Sequence, residues 1–342
     1  MELTADERTR IEKKPTENLR AYNLYLLGRH HIVQRPATQD SLDTAAPYFQ
    51  QAIDEDSAFG AAYTELAMTH WLRVTLGASM ELEFEKIRSL VETAIALDPD
   101  GAEVNGFMAW VHAWDGDLQA GDARMARVLE IAPNAARSYT DNADWFRPVE
   151  DRIAYARTAM QLDPLDLAAS SILVRHLIEA RRFTEAAEAA ESAYALDRDG
   201  AILDLANAYF FADRKEEARE AYVHALELYG SLERSSDTIA ELAYINGMLG
   251  REERARVLLR ELEGMSQDGH VFHRSASRAY ASIGDSDRTL HWIERGIAEE
   301  QNWYWFPVLY RPLFDFIRAD PRYSEVLSRA NPEFLDSFGF ER

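Results

Sequence analysis

With 9 histidines, 59 acidic residues and no cysteine, this 342-residue chain has a narrow stock of reactive side chains. The lack of Cys removes thiolate nucleophiles, disulfides and Cys-based zinc sites together, and leaves the redox compartment open. His30 and His31 are adjacent, about 100° apart on a helix, a poor arrangement for joint chelation. They read instead as one ring packed at a helix crossing and one solvated. His270 and His273 stand i, i+3 and share a helix face, as metal ligands do. No carboxylate joins them in helical register, and zinc needs three or four ligands. Asp98, Asp100 and Glu103 start like a calcium loop, but the remaining oxygen ligands do not follow, so Asp98-Pro99-Asp100 reads as a turn. The pairs Glu216-Glu217, Glu252-Glu253 and Glu299-Glu300 fall in turns or on solvated helix ends, with nothing apolar to raise a pKa. There is no His-Glu-x-x-His pair, phosphate-binding Gly loop or Gly-x-Ser-x-Gly elbow. No catalytic residue, metal or cofactor is therefore expected, and an enzyme with an unrecognised site is the least favoured function.

Composition bounds the partners. Hydrophobic residues make up 47% of the chain, including 15 Phe, 15 Tyr and 7 Trp, enough for a continuous core. The 37 basic residues leave a net charge of −22, which speaks against nucleic acid and anionic membranes. The first residues are charged and carry no signal-peptide core, and no run is long and apolar enough to span a bilayer. A cytoplasmic location is expected, or a periplasmic one if a parent protein supplies an upstream transmembrane helix.

What positions these residues is a repeat. The phrase Ala94-Ile95-Ala96-Leu97-Asp98-Pro99 returns as Ala159-Met160-Gln161-Leu162-Asp163-Pro164. Weaker copies end at residues 57, 133, 198 and 230. Residues 99 and 133, and again 164 and 198, lie 34 apart, the period of a two-helix repeat. The spacing is longer between 57 and 99, where residues 75–82 read as an extended turn. Small residues fall in register where paired helices would cross: Gly28, Ala67, Ala109, Ala206, Ala243 and Ser277 on first helices, Ala45, Ala186, Ala218 and Ala255 on second helices. Phe49, Tyr222, Leu259 and Ile293 fill the large site. Helix stoppers recur at Gly116, Asp213, Gly250 and Gly284, and proline is read as sitting where helices begin or end. The fourth unit is the poorest match, because Pro148 shortens its turn.

The agreement of period, small sites, large sites and breakers over residues 17–301 resembles the tetratricopeptide repeat family. The expectation is an all-α, right-handed superhelical solenoid of about eight helical hairpins. Residues 1–16 form a polar lead-in, with capping-box spacing at Thr4 and Glu7. Residues 302–342 form a cap, apolar at Trp303, Trp305, Phe306, Leu313, Phe314, Phe316 and Ile317. Lys14 to Arg29, and Arg311-Pro312 with Asp320-Pro321-Arg322-Tyr323, are similar to the ends of repeat regions in bacterial adenylate/guanylate cyclases, Ser/Thr kinases and winged-helix regulators. That resemblance implies a sensory or scaffolding module, either a fragment of a signalling protein or a free-standing relative.

The family's geometry turns certain first-helix positions toward a concave groove. Carried onto this chain it implies a partner-binding set of Tyr25, Arg29, Met68, Trp71, Trp110, Trp114, Arg175, Asn207 and Phe210, with Trp145 close by. Trp, Tyr, Met and Arg are residue types that anchor peptides, although any one Trp here has packing between helices as its competing role. Asn207 is the sole match to a terminal-carboxylate clamp, since Leu203 and Glu241 replace the expected polar groups. The expected function is a protein-interaction scaffold holding a partner peptide or helix in the groove. The alternative is a regulator that senses a peptide or small ligand. Partner identity and oligomeric state are not encoded in any motif.

Overall fold

The computed structural model describes residues 14–33, 38–75, 78, 80–232, 234–266, 273–299 and 311–328. Among them there is no strand, and sixteen helices follow one another as eight consecutive pairs, seven of which pack closely as hairpins. They are α1 (Leu19–Val33), α2 (Gln39–Glu55), α3 (Gly60–Thr75), α4 (Met80–Leu97), α5 (Ala102–Trp114), α6 (Leu118–Ile131), α7 (Ala136–Ala143), α8 (Val149–Leu162), α9 (Leu167–Glu179), α10 (Phe183–Leu196), α11 (Arg198–Phe211), α12 (Lys215–Gly230), α13 (Ser236–Met248), α14 (Glu252–Ser266), α15 (His273–Ser282) and α16 (Ser286–Glu299). A 3-10 turn, Pro312–Ile317, and α17 (Pro321–Ser328) close the chain. The chain divides into two compact units. The first holds α1 to α5 and most of α6; the second holds the turn residues 116–118 and everything from residue 132 onward.

The in-register small residues explain why the helices pair so closely. Ala45, Ala67, Ala109, Ala186, Ala206, Ala218, Ala243, Ala255 and Ser277 are all fully or almost fully buried, as are Phe49, Tyr222, Leu259 and Ile293. At Gly28 a Cβ would stand 2.6 Å from the Phe49 ring, so only glycine admits this contact between α1 and α2. In the first unit Tyr25, Phe49, Phe59 and Leu66 form one core cluster, and Phe84, Ile87, Val91 and Val111 another. In the second unit the larger clusters form around Tyr222, Ile245 and Trp292 and around Ile153, Leu173 and Leu177.

The recurring Asp of the repeat phrase ends the second helix. Asp56, Asp163 and Asp197 all adopt extended φ/ψ as C-caps. Each carboxylate then accepts from a backbone N–H two or three residues ahead: Ala58, Leu165 and Gly200. The turn within a hairpin uses the left-handed region, at Gly116, Gly250 and Gly284 with φ of 80°, 70° and 70°. Arg181 and Asp213 take the same conformation at φ 58° and 59°. The closing bonds are equivalent, from Arg182 N–H to Leu177 C=O and from Arg214 N–H to Tyr209 C=O. A side chain at positive φ costs stability that glycine avoids. Asp213→Gly is therefore expected to stabilise the second unit by about 0.5–1 kcal/mol, read as a higher urea midpoint.

Three sequence expectations are corrected. Helix α2 contains Pro47 in its interior, so proline is not confined to helix ends. Pro47 is exposed, which leaves the unpaired Asp43 carbonyl on the solvent side of α2. The extended turn expected over 75–82 gives way to helix at both ends, since α3 runs to Thr75 and α4 starts at Met80. Within the expected cap, Phe316 is 41% exposed, while Phe314, Ile317, Tyr323 and Val326 pack on Leu290, Ile293 and Ile297 of α16. The lead-in at Thr4 and Glu7, and Trp303, Trp305 and Phe306, lie outside the described residues.

Candidate functional site

Each unit assembles its own face from the first helices of successive hairpins. In the first unit α1 supplies Tyr25 and Arg29, α3 supplies Glu65, Met68 and Trp71, and α5 supplies Glu103 and Trp110. The Arg29 guanidinium bonds Glu65 at 3.1 Å and lies 5.8 Å from the centre of the Tyr25 ring. Trp71 and Trp110 face each other across neighbouring hairpins, ring centres 6.4 Å apart and tilted by 34°. Both are half-buried, as is Met68.

Tyr25 is a core residue at 8% exposure, its ring packed on Phe49 and Phe59. Trp114 is half-buried and stacks on Phe84 of α4 at 4.5 Å, so much of its surface is spent on packing. Burial pushes the Glu65 carboxyl up to about 7, with the Glu103 charge adding to the effect and Arg29 and Tyr25 opposing it. Burial likewise pushes the Tyr25 phenol up to about 12. The face thus holds a carboxyl with a raised pKa, bonded to Arg29, on the same helix as Trp71.

In the second unit, α9, α11, α13 and α15 line a half-open cavity of ≈ 270 Å³. Its lining includes Arg175 and Ile178 of α9, Asp204 and Asn207 of α11, Glu241 and Tyr244 of α13, and Arg274 and Arg278 of α15. Arg311 and Leu313 of the closing segment complete it. That segment is tied back to the array by Asp315, which accepts from Arg181 in the turn of the fifth hairpin at 2.7 and 2.8 Å. Arg175 is paired with Asp144 and Arg278 with Glu241. Asn207 accepts both the Tyr222 hydroxyl, at 2.8 Å, and the Tyr244 hydroxyl, at 2.6 Å. Phe210 is 42% exposed and stands edge-on to Phe211; the cavity is lined by Phe211.

Of the groove set read from the sequence, Tyr25, Arg29, Met68, Trp71, Trp110 and Trp114 fall in the first unit, and Arg175, Asn207 and Phe210 in the second. Trp145 is wholly buried. The arginines at 274, 278 and 311 escaped the sequence reading. Arg274 and Arg278 stand i, i+4 around the small-site Ser277, so extending the inward register to the eighth hairpin finds them. Arg311 carries no such signal, because its position depends on the closing segment turning back onto the array.

The remaining polar candidates read as structure. The His31 ring stacks on Tyr48, and His273 is buried beside Trp292. His270 lies outside the described residues. Asn105 donates to the Pro99 and Gly101 carbonyls and Arg127 donates to Asp100, which fixes that segment as a turn. No group of three or more His, Asp or Glu placed to hold a metal ion occurs among the described residues. None of their helices is long and apolar enough to cross a membrane.

Consecutive helix pairs with small crossing residues, and left-handed turns at residues 116, 181, 213, 250 and 284, give the chain a tetratricopeptide-type helical-repeat fold. Solved structures of that kind share the architecture. A monomeric mutant of IFIT1 with Gppp-AAAA matches with a TM-score of 0.61 and 12% identity, over 90% of this chain and 71% of that one. The human IFIT1 dimer with m7Gppp-AAAA matches with a TM-score of 0.58 and 13% identity, over 85% of this chain and 69% of that one. Yeast Tom70 matches with a TM-score of 0.52 and 16% identity, over 92% of this chain and 69% of that one. At these identities the likeness is one of fold. No family model matches the chain, and no curated protein sequence matches it.

Proposed function

We propose that the chain is a protein-interaction module whose first unit holds a partner peptide or helix against the face of α1, α3 and α5. The observation that carries this is the half-buried Trp71–Trp110 pair, on the two helices that also carry Glu65 and Glu103. Paired indoles offer a large contact area with few rotamers to freeze, the usual anchor of an interface. The chain's −22 charge and the Glu65 and Glu103 carboxyls favour a partner of apolar and basic sequence. In the second unit the closing segment borders the inner face, so a peptide groove there is less accessible than in the first. The bacterial signalling setting belongs to the same proposal and rests on the resemblance of the two end segments.

Trp110→Ala is expected to weaken capture of such a partner by about 2 kcal/mol or more, roughly thirtyfold, with the helical circular dichroism signal unchanged. Pull-down or titration calorimetry, alongside thermal melting of the same variant, reads both quantities. Binding should also fall with rising salt. A variant that binds as the parent does removes this face from the interface, and a loss of stability with no separate loss of binding assigns Trp110 to the core.

A further inference from the structure

We propose that the cavity of the second unit binds a zwitterion, an amino acid or short peptide whose carboxylate sits on Arg311 and whose ammonium sits on Asp204. The site is separate from the face of the first unit, and neither reading depends on the other.

The charges around the cavity divide into answered and unanswered groups. Arg175 pairs with Asp144 and Arg278 with Glu241. Arg274 has an interaction of its own and lies near Asp237, whose carboxyl it acts to lower. Two groups remain, of opposite sign. The Arg311 guanidinium makes no hydrogen bond or ion pair among the described residues, and its Nε is wholly shielded from solvent. Asp204 makes no ion pair among them and accepts from the Ser171 hydroxyl. Nor do the two answer each other. The charges that act most on Arg311 are those of Arg175, Arg274, Glu179 and Arg278, and on Asp204 those of Arg175, Arg278 and Glu241. Burial pushes the Arg311 guanidinium down to about 9 and the Asp204 carboxyl up, the directions that desolvation imposes on each sign of charge. A buried charge without a partner costs stability, and an occupant that pairs with both removes both costs.

The same count selects the chemistry of the occupant. A dianion would overfill the one open cation and set negative charge against Asp204. A plain carboxylate would answer Arg311 alone, and a plain amine Asp204 alone. A molecule carrying one of each is matched at both groups. The guanidinium fork takes a carboxylate through two parallel bonds, and an ammonium brings three donors to Asp204. The lining also carries Ile178, Phe211, Tyr244 and Leu313, which give an apolar body its contacts. Because the cavity is half-open, it sets the two charges without fixing the length between or beyond them. A free amino acid and a peptide of a few residues share this chemistry.

The test is titration calorimetry of the full chain with leucine, dileucine and trileucine. The N-acetylated and C-amidated forms of the tightest binder follow. At least one of the three zwitterions is expected to bind saturably in the millimolar range or tighter, and each capped form about tenfold more weakly or worse. The rank of the three tells a free amino acid from a peptide. Arg311→Gln should erase the penalty for amidation and keep that for acetylation, and Asp204→Asn should do the reverse. A merely structural role for either residue would weaken all forms alike. If a variant fails to fold, the capped forms on the parent decide alone. Absence of saturable binding of all three zwitterions overturns the proposal, as does equal affinity for the capped forms. Tighter binding of inorganic phosphate than of any zwitterion overturns the pairing of charges.

Discussion

Replacing Glu179 by Ala is expected to destabilise the second unit by about 3–5 kcal/mol, the cost of leaving a buried charge without its partner. Glu179 accepts from Arg152 through both terminal nitrogens, at 2.5 and 3.3 Å, and both side chains are 3% exposed. Arg152 also donates through Nε to the Arg147 carbonyl and through Nη1 to His176 Nδ1 at 3.1 Å. His176 Nε2 donates to the Ala143 carbonyl at 3.0 Å, which fixes a neutral imidazole. The network thus joins α7, α8 and α9 around one ion pair. An apolar double replacement, Arg152→Met with Glu179→Leu, should recover most of the loss, because it removes the charges and their desolvation together. A double variant no better than Glu179→Ala would show that the hydrogen bonds to α7 matter more than the charge pair.

The same network sets a pH dependence with a definite sign. Burial pushes His176 down to about 4, with Arg152 and Arg175 adding to it. Burial acts to raise Glu179, but the Arg152 guanidinium overrides it and holds the carboxyl at about 2. As pH falls below the ordinary histidine value near 6.5, the unfolded chain takes up a proton that the folded one refuses. That stability is full above about 6.5 and is lost toward 4. The Glu179 contribution is full above about 4.5 and is lost toward 2. Asp237, pushed up to about 6 by burial and then Glu241, works in the opposite sense over part of this range. The comparison is therefore parent against Glu179→Ala at each pH. The His176 ring signal in an NMR titration should stay that of a neutral imidazole down to about pH 5. Protonation near pH 6.5 would contradict the buried geometry.

Much of the architecture was legible because it depends on local steric rules. A helix crossing admits only small side chains, so Gly28, Ala67, Ala109 and Ala243 mark it wherever the period holds. Asp163 and Asp197 mark helix ends because their carboxylates bond the next backbone N–H groups. Arg181 was missed as a turn residue because the backbone bonds of the turn hold it at positive φ despite its Cβ. The Arg152–Glu179 pair and the Arg311 cavity were missed for another reason. Their partners lie one or more hairpins away in sequence, and which residue meets which depends on rotations that the repeat period does not set. Tyr25 and Trp145 show the same limit, since the groove register assigns a residue to a helix face and not a depth.

Trp145 is the sharpest case, and Trp145→Ala is expected to cost about 3–5 kcal/mol, the range for removing a fully buried Trp. The ring sits just beyond the C-terminal end of α7, only 8 residues long. A helix this short has little stability of its own, so the fourth hairpin depends on what it packs. Trp145 has no exposed surface, stands 5.0 Å from the Phe146 ring at 64°, and bonds through its backbone N–H to the Asn142 carbonyl. Its neighbour Asp144 carries the ion pair to Arg175, so collapse of this corner should also disturb one wall of the cavity in α9. Trp145→Phe keeps most of the apolar contact and should lose far less than Trp145→Ala. Urea unfolding followed by circular dichroism gives the midpoints. A loss below about 1 kcal/mol for Trp145→Ala would show that the ring is not packed, since even a partly collapsed cavity of this size costs more. A full loss with Trp110→Ala near the parent would separate the two tryptophans as core and face.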